Sequence, residues 1–209
     1  MRRESHVRFC ESVGVKLPHA THPNVYVRSR RAGERVMALL RRLYGKLRLT
    51  VNETKSAVAS VFGRKFLGYG FWPGPGGVIK RKVAEKPLMT FKQRIRQLTC
   101  RSGGRSMQDV VDHLRPYIRG WKAYFRLAQT PRVWRELDQW LRHRLRAIQL
   151  KQWKHGTTMY RELLVRGAKP DVARQVAANS RRWWRNSGML LNAVLTLNWS
   201  DRLGLPRLS

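Results

Sequence analysis

The chain has 209 residues, 44 of them Lys or Arg and 12 Asp or Glu, a formal net charge of +32. A hydrophobic content of 42% with eight tryptophans excludes a disordered basic tail, and the length suits one or two small domains. No run reaches the 18 apolar residues of a membrane span, residues 1–23 lack the apolar core of a signal peptide, and a chain this basic is expected to meet a polyanion.

Two cysteines, Cys10 and Cys100, offer no disulfide framework and fit a reducing compartment, so the expected location is cytoplasmic. His19-x-x-His22 is the nearest approach to a metal pair, but zinc needs two further ligands and none stands at suitable spacing. Residues 1–23 show no periodicity and read as a leader. Asn24–Val27 is a short apolar run. A helix is predicted from about Arg30, with Val36, Leu39, Leu40, Leu43 and Leu47 on one face. Ser56–Phe62 and Lys65–Trp72 are β-rich runs around Gly63-Arg64 and predict a hairpin. Pro73–Gly77 breaks the chain, with a short strand at Val78-Ile79 beyond it.

After Pro87 the pattern is helical. One helix is predicted near 88–99. Ser106 and Asp109 have capping-box spacing and open the next, in which Pro116 predicts a kink or a new start. Thr130-Pro131 reads as an N-cap with a first-turn proline, and His155-Gly156 as a stop. Shorter helices are expected at 158–166, 170–179 and 188–198. The fold class is therefore mainly α with a small β-hairpin.

Two of these helices pair an apolar stripe with a row of positive charge. In the first, Leu114, Tyr117, Ile118, Trp121, Tyr124 and Phe125 oppose Arg115, Arg119, Lys122 and Arg126. In the second, Trp134, Leu137, Trp140, Leu141, Leu145 and Ile148 oppose Arg135, Arg142 and Arg146. From Arg119 to Lys154 there are ten basic residues and two acids. A solvated face normally mixes signs, because acid–base pairs one turn apart help it and like charges repel. Phosphate neutralisation is the natural use of such rows. The stripe aromatics are expected in the core. Trp153, between Lys151 and Lys154, falls on the basic side, where stacking on a base competes with packing against the next helix. The candidate RNA-binding residues are thus Arg115, Arg119, Lys122, Arg126, Arg135, Arg142, Arg146, Lys151, Trp153 and Lys154. Arg181-Arg-Trp-Trp-Arg185 combines charge and aromatics and suits either RNA contact or hydrophobic docking.

Four stretches in order carry a resemblance: Leu49-Thr-Val-Asn-Glu-Thr-Lys-Ser56, Lys65-Phe-Leu-Gly-Tyr-Gly-Phe71, Arg119-Gly-Trp-Lys-Ala-Tyr-Phe125 and Leu150-Lys-Gln-Trp-Lys154. With the closing Leu203-Gly-Leu-Pro-Arg-Leu208, they resemble the later part of a bacterial group II intron-encoded reverse transcriptase/maturase. The resemblance implies a leader at 1–23, a partial polymerase palm at 24–80, a thumb and maturase-specific domain at 88–155, and a C-terminal helical extension at 156–209. It implies structured intron RNA as partner, with DNA a second polyanion.

The family places a Tyr-Ala-Asp-Asp turn just before the strand that Asn24–Val27 resembles, and its aspartates hold catalytic magnesium. Here Pro18-His-Ala-Thr-His-Pro23 stands there without an acid, and a hard divalent cation needs carboxylate oxygens. The expectation is an RNA-binding fragment that assists intron folding and splicing, with no catalytic residues, no cofactor and no polymerase activity of its own. The alternatives are the C-terminal half of a split reverse transcriptase completed by a chain supplying fingers and palm, or a decayed remnant.

Overall fold

Strand pairing starts where the sequence shows no periodicity. In the computed structural model, which describes residues 8–11, 24–100 and 103–209, β1 (Arg8–Glu11) is the central strand of a three-stranded antiparallel sheet. It pairs with β2 (Asn24–Val27) on one side and β3 (Ala57–Ser60) on the other. A four-residue strand carries too little alternation to be read from sequence, so part of the expected leader is built into the sheet. His19, His22 and Pro18–Pro23 lie outside the described residues.

Against this sheet packs α1 (Arg30–Lys46), capped by Ser29, whose hydroxyl accepts the Ala32 N–H at 3.2 Å. The buried face is Gly33 and Met37, with Tyr44 and Leu40 beside them; of the predicted Val36, Leu39, Leu40, Leu43 and Leu47 stripe, Leu40 joins this cluster and Leu39, Leu43 and Leu47 do not. Gly33 decides this rotation, since a Cβ there would stand 2.6 Å from Val58 Cγ1. The bare backbone lets the helix sit on the sheet, and Leu39, Leu43 and Leu47 are left 43–67% exposed.

The predicted hairpin across Gly63-Arg64 does not form. β3 pairs with β1, and the second run turns back on itself: β4 (Lys65–Phe66) pairs with β5 (Tyr69–Pro73), which pairs with β6 (Ile79–Val83). Leu67 and Gly68 form the two-residue turn, both with positive φ (48° and 79°), the backbone that matches strand twist in tight hairpins. Gly68 is therefore a turn residue within the predicted β-rich run Lys65–Trp72.

The chain divides into two compact units after Ala84. The second is all helical: α2 (Glu85–Leu98), α3 (Met107–Tyr124), α4 (Pro131–Trp153), α5 (Gly156–Val165), α6 (Pro170–Ala178), α7 (Trp183–Met189) and α8 (Leu197–Arg202). The fold is mainly α with a small β part. Ser106 and Asp109 make the full reciprocal capping box of α3. That helix continues through Pro116 without a break. Proline costs about 3 kcal/mol in a helix interior, but Val111, Leu114 and Ile118, all fully buried, anchor both sides of it. Thr130 stands at the N-cap of α4 as expected, yet its hydroxyl is buried without a partner. In place of one helix at 188–198 there are two short ones, α7 and α8, on either side of the buried Leu191 and Leu195. Among the described residues no helix is long and apolar enough to cross a membrane.

Candidate nucleic-acid interface

An aromatic cluster fixes α2, α3 and α4 together. Phe91 lies 4.2 Å from the Trp121 ring centroid and 5.6 Å from Tyr117, stacked on the latter. Trp121 meets Phe125 at 4.8 Å and Trp134 edge-on at 5.3 Å. Trp134 is thus core, as its position on the stripe requires. Tyr124 is not: it is 55% exposed at the end of α3. Trp140 is half-buried, with the guanidiniums of Arg96 and Arg144 at 5.7 and 5.5 Å from its ring.

The basic rows divide into cations that face solvent and cations engaged inside the fold. Arg119 of α3, Arg126 just beyond its C-terminal end and Arg135 of α4 are exposed and have no hydrogen bond or ion pair among the described residues. Lys151 and Lys154 are exposed at the other end of α4. Arg115 is half-buried; it donates from Nε to Gly204 O at 3.0 Å and pairs with Asp112 at 3.0 Å. Lys122, though exposed, donates to Arg207 O at 2.9 Å. Both hold the C-terminal tail against α3.

Arg142 and Arg146 correct the wheel-based reading. They are 5% and 7% exposed. Arg146 donates from Nε to Leu195 O at 2.8 Å and also reaches Asn192, while Arg142 donates to Ser200 Oγ at 3.3 Å and lies 3.9 Å from Asp138. A helical wheel assumes one covered side. Here α4 is central, with α3 on one side and the segment from α7 to α8 on the other, so the predicted basic row is where the C-terminal residues dock. Burial, with Arg142 as a like-charged neighbour, pushes the Arg146 pKa down from its ordinary value. Both guanidiniums are engaged with groups of the fold.

Trp153 is likewise buried, in a core with Leu150, Met159, Leu163, Val176, Leu191 and Leu195, and Arg166 lies over its ring at 5.1 Å. It packs; it does not stack on a base. In the Arg181–Arg185 run, Arg181, Arg182 and Arg185 are exposed, while Trp183 packs against the same core. Trp184 stacks on His143 at 3.7 Å, and its carbonyl lies 2.8 Å from His143 Nε2.

Residues 88–166, from α2 to just beyond α5, match the family model of the group II intron maturase-specific domain. The segment is similar to a maturase-specific domain over these residues. The match indicates a maturase-type function in group II intron splicing, and it covers both helices that carry the basic rows. No curated protein matches the chain. Among the described residues, no three His, Cys, Asp or Glu side chains come together as a metal site.

Proposed function

We propose that the chain binds structured group II intron RNA through exposed cations of its maturase-specific domain and stabilises the splicing-active RNA fold without covalent chemistry of its own. The observation that carries this is the maturase-domain match coinciding with Arg119, Arg126, Arg135, Lys151 and Lys154, exposed on a frame held by buried aromatics. Cations on a rigid frame lose little conformational freedom on meeting phosphates, and counterion release supplies affinity. DNA is a weaker competitor for the same rows. The chain alone has no polymerase activity in this reading, since no acid stands among Pro18–Pro23. The test is splicing of a group II intron transcript at limiting magnesium. Adding the chain accelerates splicing, and templated dNTP incorporation stays at background. Unchanged splicing, with no complex on a native gel, would reject the proposal.

One observation favours the split-polymerase alternative. On α1, Leu39, Leu43 and Leu47 are 43%, 44% and 67% exposed, an apolar row suited to a chain supplying the rest of a palm. An adjacent reading frame ending in a Tyr-Ala-Asp-Asp turn, whose product restores dNTP incorporation when mixed with this chain, distinguishes it.

A further inference from the structure

The end of α4, the turn into α5 and the loop before α7 enclose a groove of about 500 Å³ lined by Lys151, Lys154, His155, Ser180, Arg181 and Trp183. Three cations face it and no acid lines it. A larger cleft of about 920 Å³ beside α7 differs on both counts: Glu136 lines it, and its Arg142 and Arg146 are tied to groups of the fold. In the smaller groove, Lys151 Nζ stands 4.6 Å from the Trp183 ring centroid, so an aromatic wall positions an ammonium. Lys154 holds an unusual backbone, φ 58° and ψ −64°, and the His155 N–H donates across it to Trp153 O at 2.7 Å. This is a γ-turn of the strained hand, which glycine would adopt more easily. A lysine kept at such a point of the groove wall is better explained by its charge than by its backbone.

We infer that this groove seats the phosphodiester backbone of an unpaired RNA segment, with Lys151, Lys154 and Arg181 on successive phosphates. Cations beside an aromatic wall in a narrow concavity suit a flexible single strand, whereas a duplex presents its phosphates to open rows such as Arg119 and Arg126. The inference rests on the RNA-binding reading above and adds Arg181 and Trp183, which lie beyond the matched segment.

The test uses the full chain, a labelled single-stranded 12-nucleotide RNA and a labelled intron transcript, titrated across salt by anisotropy. The variant Lys151→Gln/Lys154→Gln/Arg181→Gln should bind the 12-mer about tenfold more weakly at low salt, with a slope shallower by about two units for three lost phosphate contacts. Unaltered 12-mer binding by that variant, with wild-type intron binding intact, overturns the groove alone. Loss of wild-type binding to both RNAs overturns the parent reading as well. Inorganic phosphate at matched ionic strength should not displace the 12-mer; displacement would mean a free-anion site and overturns the inference. Should the triple variant unfold, Arg181→Glu, at an exposed loop position, must weaken the 12-mer on its own. A duplex of the same sequence should bind the wild type and triple variant alike; an equal loss for duplex would contradict the single-strand assignment.

Discussion

The carboxylate of Asp138 accepts the backbone N–H of Leu208 at 2.9 Å across 70 residues of sequence, and the N–H and hydroxyl of Ser209 at 2.8 and 2.7 Å. It is 2% exposed, and one turn along α4 lies the buried Arg142. An acid that thins the basic row in sequence is thus the anchor of the C-terminal tail. Asp138→Ala should destabilise the helical unit by about 3–5 kcal/mol, because it strands Arg142 and releases the tail. Urea unfolding of variant and wild type measures it; a loss within experimental error would show that the tail is not clamped.

Arg146 and Arg135 should separate stability from binding. Arg146→Gln leaves Leu195 O without its donor and should cost about 1–3 kcal/mol in a thermal melt. Arg135→Gln, on the exposed side, should melt with the wild type. Equal melting of the two variants would place Arg146 at the surface after all.

Gly156, the first residue of α5, faces the carbonyl of Ala177, and an added Cβ would stand 2.7 Å from that oxygen. Gly156→Ala must push α5 and α6 apart, costing about 1–3 kcal/mol as overpacking does. Thermal denaturation checks this. A variant as stable as wild type would show that the two helices are not in van der Waals contact there.

Acid should attack the caps first. The Ser106 hydroxyl and N–H donate to the Asp109 carboxylate and hold its pKa below the ordinary 3.8; the Arg207 guanidinium does the same for Asp201. Depressed carboxylates contribute stability above the ordinary value and lose it as the pH falls through the folded-state value. The melting temperature should therefore fall as pH drops below about 4, and Asp109→Asn should shallow that descent. Identical acid limbs for the two proteins would remove Asp109 from the account.

The legible parts of this fold were those set by local chemistry. The Ser106–Asp109 box, the Pro131 start and the stop before Gly156 depend on residues within one turn of each other. The aromatic stripe of α3 and α4 was readable because burial imposes a 3.6-residue period. Long-range pairing was hidden. Nothing near Ala57 says that its strand joins Arg8–Glu11 instead of Lys65, and nothing near Arg146 says that Leu195 will cover it. In the basic row of α4, Arg142 and Arg146 are periodic for a tertiary reason, to hold polar groups of the C-terminal segment, and the period alone cannot distinguish that from a phosphate track. Arg181 reaches the Lys151 groove only through the folding of α5 and α6 between them.

The most direct test of RNA binding by the exposed cations is a salt titration of the full chain with group II intron RNA, repeated for Arg119→Gln/Arg126→Gln/Arg135→Gln. Log K should fall linearly with log salt, and the variant, melting like the wild type, should have a slope shallower by about two to three units, at roughly 0.7–0.9 per phosphate. A salt-independent affinity, or a variant whose slope and affinity match the wild type, would contradict binding by these cations.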